Sequence, residues 1–113
     1  MSAVSFKDTG NKHLQAGEFD QAIEAYSRAI NLDGSKHVFY SNRSAAYLSK
    51  GDYNSALDDG LKCTELNPSW AKGYSRHGAA LHALKKYDEA LGVYDKGLAL
   101  ALTDAGLLSP HQG

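Results

Sequence analysis

Three stretches of this chain can be laid over one another at a constant offset of 34 residues. Phe6, Tyr40 and Tyr74 fall in register; so do Gly10, Ser44 and Gly78, and so do Ala22, Ala56 and Ala90. A period of that length, with small residues at fixed offsets and aromatics between them, marks stacked helix–turn–helix units. One such unit cannot bury its apolar face alone and covers it against the next. The repeat therefore constrains the chain to an all-α solenoid. Small side chains at Gly10, Ser44, Gly78 and the three alanines let the two helices of each unit approach closely.

Helical spacing gives each unit two helices. In the first, a helix over about Ala3 to Ala16 carries Phe6, Gly10, His13 and Leu14 on one side, and Gly17-Glu18 breaks it. A second helix begins at Phe19-Asp20 and carries Ala22, Ile23, Tyr26, Ala29 and Ile30 as its stripe. The next pair runs from His37 to Ser49 and on to Leu66, and Asn67-Pro68-Ser69 closes it, since proline cannot continue a helix. The last pair runs from about Trp70 to Leu84 and on to about Leu102, with Lys85-Lys86 as its turn. Asp20, Asn54 and Asp88 share the register and read as three aligned helix caps. The expected domain spans 1–102, with repeats at about 3–36, 37–70 and 71–102. Residues 103–113 hold two glycines and a proline and read as a frayed tail, the truncation point of a longer protein. The apolar face of the last helix is then left open to self-association.

The bulk numbers exclude several function classes. In 113 residues, 12 basic side chains stand against 13 acidic ones, for a net charge of −1. Nucleic acid and anionic membranes select a strongly basic face, so neither is the expected partner. One cysteine, Cys63, permits no internal disulfide and suits a reducing compartment. The first residues lack the apolar core of a signal peptide, and no run approaches membrane-spanning length. The expectation is a soluble, cytoplasmic protein. Among the histidines, His77 and His82 are five apart, off a shared helix face and without a joining cysteine or acidic pair, so neither a metal nor another cofactor is expected. Cys63 falls where Ala29 and Gly97 stand in the other repeats and reads as core. The tyrosines read as core or helix contacts, because no basic residues interleave with them to make a stacking surface.

With those positions placed, the chain resembles the tetratricopeptide repeat family over about residues 3–102. That resemblance implies six antiparallel helices in a right-handed α-solenoid, with the first helix of each pair lining the concave face. His13, Gly34, Gly60 and Leu102 depart from the family pattern at positions where it is degenerate. Lys7 and Asn11, then Tyr40-Ser41-Asn42-Arg43-Ser44-Ala45-Ala46-Tyr47, then Asn67 to Arg76 are similar to the carboxylate-clamp subclass. Its members are co-chaperones that bind the Glu-Glu-Val-Asp end of heat-shock proteins 70 and 90. The similarity is strongest to the co-chaperones that organise those two chaperones, which implies heat-shock protein 70 as first partner and heat-shock protein 90 as second.

The residue types fit such a ligand. Lys7 and Asn11 are four apart and share a helix face, as do Lys72 and Arg76. Two ammonium groups, a guanidinium and the amides of Asn11 and Asn42 are all able to donate. By resemblance, Lys7, Asn11 and Asn42 hold the terminal α-carboxylate and Lys72 holds the last side-chain carboxylate. Arg76 reaches that same carboxylate or an upstream glutamate. Leu14, Ala45 and Leu48, with Ser75, Ala79 and His82, are the candidate pocket for an aliphatic residue of the tail. Several charge-assisted hydrogen bonds, less the ordering of a flexible tail, imply affinity on the order of micromolar. Nothing catalytic stands in these residues, so the expected role is a non-enzymatic adaptor. Two alternatives remain at this level: the same fold holding a peptide with no free acidic end, or the targeting domain of a chaperone-associated enzyme.

Overall fold

The structure, a computed structural model, describes residues 1–104. Six helices follow one another: α1 Ala3–Gln15, α2 Phe19–Leu32, α3 His37–Lys50, α4 Tyr53–Leu66, α5 Ala71–Ala83 and α6 Tyr87–Asp104. No described residue is in a strand. The expected helices are all present, with ends shifted by a residue or two. Helix α6 carries Thr103 and Asp104, which the sequence reading assigned to the tail; the rest of that tail lies outside the described residues.

The turn inside each pair is built the same way three times. The N–H groups of Glu18, Asp52 and Lys86 donate back five residues to the carbonyls of His13, Tyr47 and Leu81, each at 2.9 Å. This closure needs a left-handed residue just after the helix. Gly17 (φ 77°), Gly51 (φ 94°) and Lys85 (φ 65°) supply it, one per repeat. The third turn therefore forces on a lysine the geometry that glycine adopts freely.

The cap assignment is corrected. Helix α2 begins at Phe19 with Glu18 before it, and α4 begins at Tyr53 with Asp52 as its cap. The Asp52 carboxylate accepts from Ser55 N at 3.3 Å and from Ser55 Oγ at 2.8 Å. Asp20, Asn54 and Asp88 lie inside the first turns. There Asp20 reaches Lys50 Nζ at 2.6 Å across to the end of α3, and Asp88 places negative charge near the N-terminus of α6.

Close approach within each pair follows the small residues. A Cβ on Gly10 would sit 2.5 Å from the Tyr26 ring, and one on Gly78 would sit 2.6 Å from the Tyr94 ring. The middle repeat has Gly60 where those tyrosines stand, and Ser44 instead donates to the Ala56 carbonyl at 2.8 Å. Gly60 lets α4 lie against the backbone of His77, only 2.9 Å from a would-be Cβ. Ala22, Ala56 and Ala90 are all buried, as is Cys63. The hydroxyls of Tyr40 and Tyr74 donate to the carbonyls of Gly34 and Pro68, at 3.1 and 2.7 Å, and so tie down the loops between repeats. Phe6, in the same register, carries no hydroxyl. Tyr26 and Tyr40 are buried in the core; Tyr53, Tyr87 and Tyr94 are exposed, Tyr94 with its ring on Gly78 and Tyr87 against the His82 ring.

The pattern of helix contacts sets the curvature. Helix α3 touches both α1 and α5, whereas among the described residues α2 does not touch α4 and α4 does not touch α6. The first helices of the pairs are thus drawn together on the inner side of the stack, and the second helices spread on the outer side. Helix α6 shows Tyr87, Leu91, Tyr94 and Leu98 to solvent among the described residues. No described helix is long and apolar enough to cross a membrane.

Candidate functional site

The inner face is made by α1, α3 and α5, and side chains from each meet there. Asn42 on α3 donates from Nδ2 to Oδ1 of Asn11 on α1, at 3.4 Å. The same oxygen accepts the hydroxyl of Tyr26 at 2.6 Å. With its oxygen taken twice, the Asn11 amide has its NH2 group left to donate. Lys7 lies one turn before Asn11 on the same face and is half-buried. Its nearest acid is the exposed Asp8, at 3.8 Å.

Arg76 enters from α5. Its Nε donates to Ser41 Oγ at 3.3 Å, and Ser41 is fully buried on α3. The guanidinium is half-buried and, among the described residues, has no carboxylate within 4.0 Å. Burial pulls its pKa below the ordinary arginine value, while the Cys63 thiol and the Tyr26 phenol nearby pull the other way. Arginine remains charged at any physiological pH, so the inner face holds a partly desolvated cation with no anionic partner among the described residues. Lys72, one turn before Arg76, is exposed and also unpaired among the described residues.

Arg43, next to Asn42 in sequence, makes the contrast. It is tied to Asp59 by two short hydrogen bonds and to Ser27 Oγ at 3.0 Å. Asp59 holds the Arg43 guanidinium above its ordinary pKa, and burial pushes the Asp59 carboxyl upward against the pull of that guanidinium. This arginine is spent on the fold, joining α2, α3 and α4.

The structure thus brings Asn11, Asn42 and Arg76 onto contacts that cross the inner helices. Lys7 and Lys72 stand a turn away on α1 and α5, with no hydrogen bond to the other three among the described residues. The pocket candidates separate. Leu14 packs against the core cluster of Ala22, Tyr26 and Ala46. Ala45, Leu48 and Ala79 are half-buried, whereas Ser75 and His82 are exposed. The His82 ring meets Tyr87 edge-on at 5.3 Å. Two cavities, of about 220 and 360 Å3, open elsewhere: one between α1 and α2 around Phe6 and Arg28, one between α5 and α6 around His77 and Val93. Neither is lined by Lys7, Asn11, Asn42, Lys72 or Arg76.

Sequence reasoning missed Tyr26, Ser41 and the Arg43–Asp59 pair. One signal for the pair was available. Asp59 occupies the register position of Ala25 and Val93, and an acid at an apolar repeat position calls for a buried partner.

Known proteins agree with this architecture. Family profiles described as TPR repeat and tetratricopeptide repeat match residues 10–51, 38–69 and 73–104. The heat shock protein sti1 homolog of Schizosaccharomyces pombe is 47% identical over 107 residues. That alignment covers 95% of this chain but only 18% of the relative, so the chain spans less than a fifth of that protein's length. Among solved structures, the first TPR of Spaghetti (RPAP3) bound to the HSP90 peptide SRMEEVD superposes with a TM-score of 0.85 at 36% identity, covering 88% of this chain and 80% of that one. The second TPR domain of human RPAP3 in complex with the HSP70 peptide SGPTIEEVD gives 0.83 at 36% identity, covering 87% and 82%. With three matching profiles, three in-register turns and this superposition, the chain belongs to the tetratricopeptide repeat family.

Proposed function

We propose that this chain is a non-enzymatic co-chaperone adaptor domain whose inner face binds the C-terminal Glu-Glu-Val-Asp tail of a heat-shock chaperone. Heat-shock protein 70 is the first choice of partner and heat-shock protein 90 the second. The observation that carries the reading is the half-buried Arg76, without a carboxylate partner among the described residues, standing on the same face as the Asn11–Asn42 pair. A fold that desolvates a cation without a protein anion leaves its compensation to a ligand. The solved neighbours that hold heat-shock peptides lend support, as does the relationship to a heat shock protein sti1 homolog.

In this reading Lys7, Asn11 and Asn42 take the terminal α-carboxylate. Lys72 takes the side-chain carboxylate of the last aspartate, and Arg76 takes that group or an upstream glutamate. Ala45, Leu48 and Ala79 offer apolar surface to the valine or to an aliphatic residue before the glutamates, with Ser75 and His82 at the rim. Leu14 acts mainly through the packing that holds α1.

The test is truncation of the cations. Arg76→Ala and Lys7→Ala each abolish binding of the tail peptide and leave the helical circular dichroism signal unchanged. Binding that survives both substitutions, or that is lost only together with helicity, contradicts the assignment.

A further inference from the structure

We propose that Tyr26 is a positioning residue for the groove, its phenol O–H holding the Asn11 amide with the oxygen turned into the helix packing and the NH2 turned toward an incoming carboxylate. The inference rests on the carboxylate reading given under Proposed function.

Tyr26 belongs to α2, an outer helix, and none of it is exposed. Its ring lies on Gly10, where even a methyl group would come within 2.5 Å of it. That bare stretch of α1 lets the phenol pass across the helix, and its hydroxyl ends 2.6 Å from Asn11 Oδ1. Asn42 Nδ2 approaches the same oxygen. With both groups donating to that oxygen, the Asn11 NH2 is left on the other side of the amide; turned over, it would meet the NH2 of Asn42 as that amide now stands. A carboxylate only accepts, so it requires the orientation that Tyr26 and Asn42 enforce. Burial pushes the phenol up to about 12, so Tyr26 keeps the proton it donates through the physiological range.

The contact is not a by-product of the repeat. Tyr94 packs on Gly78 as Tyr26 packs on Gly10. The residue in register with Asn11 is Ala79 there and Ala45 in the middle repeat, where Gly60 replaces the tyrosine. Only the first repeat carries both the hydroxyl and the amide.

The experiment titrates a synthetic peptide ending Ile-Glu-Glu-Val-Asp, as free acid and as C-terminal amide, into four chains: parent, Tyr26→Phe, Asn11→Ala and the double variant. Tyr26→Phe keeps the ring on Gly10 and removes only the hydroxyl. Each single substitution is expected to raise the Kd for the free acid about tenfold, the factor of one net charge-assisted hydrogen bond, and the double variant is expected to be no weaker than Asn11→Ala alone. A purely structural tyrosine would lower the melting temperature and leave the Kd of the folded protein where it was. An unchanged Kd in Tyr26→Phe overturns the proposal, as does a penalty that carries undiminished into the Asn11→Ala background. A parent that fails to prefer acid over amide sinks the groove reading and this proposal with it; a parent that prefers the acid while Tyr26→Phe matches it sinks this proposal alone. Should Tyr26→Phe not fold, the Asn11 side-chain NH2 resonance of the parent decides. It is expected to move on adding the acid and not the amide, and a stationary resonance overturns the proposal.

Discussion

Arg43 and Asp59 meet across α3 and α4 in a two-pronged contact, Nε to Oδ2 at 2.7 Å and Nη2 to Oδ1 at 2.8 Å. Arg43 is the residue after Asn42, on the helix at the centre of the inner face, and Asp59 reaches it from α4. Truncating one partner of a buried pair strands the other charge in a dry site. Asp59→Ala is expected to cost about 3 kcal/mol in urea unfolding. Replacing both, as Arg43→Met with Asp59→Leu, is expected to recover most of that loss, because the apolar pair strands no charge. A double variant as unstable as the single one would show that the pair does more than neutralise itself.

The third turn carries strain that the first two avoid. Lys85 holds a left-handed backbone at φ 65° in the register position of Gly17 and Gly51. Lys85→Gly is expected to stabilise the fold by about 1 kcal/mol, because the left-handed penalty of a side-chain-bearing residue disappears. The gain is read as a higher urea midpoint at unchanged slope. Gly51→Ala, the reverse exchange in an equivalent turn, is expected to lose a similar amount.

The sequence made the architecture legible because a 34-residue period repeats three times, so each helix is assigned by three independent stretches. What it hid depends on contacts between helices or on choices between near neighbours. Asp52 and Asn54 are both good capping residues two positions apart; backbone geometry selects Asp52, whose side chain then reaches Ser55. Spacing along a single helix placed Lys7 beside Asn11 and Lys72 beside Arg76. It gave no way to connect Asn11 with Tyr26, which is on another helix, or Arg76 with Ser41, 35 residues earlier. Nor does spacing along α1 show that Leu14 packs against the cluster of Ala22, Tyr26 and Ala46, which comes from two other helices.

Alkaline pH offers a separate probe of Tyr26. Burial raises its phenol from 10.0 in the unfolded chain to about 12 in the folded one. Between those values the unfolded state has released a proton that the folded state keeps, so stability falls as pH rises. The contribution is fully present below pH 10 and is lost as pH climbs toward about 12. Tyr26→Phe is expected to flatten this share of the decline, read as a shallower drop of the urea midpoint from about pH 9 to about pH 11. Equal slopes in the two proteins would contradict a buried, protonated phenol.

The central claim is that the inner face reads a free carboxylate end. Calorimetric titration tests it most directly, with peptides ending Ile-Glu-Glu-Val-Asp and Met-Glu-Glu-Val-Asp, each as free acid and as C-terminal amide. The account predicts binding on the order of micromolar for a free acid, weakened by added salt, and none detectable for its amide, with the tighter acid naming the chaperone. Equal binding of acid and amide, or no binding of either by the folded protein, would contradict it.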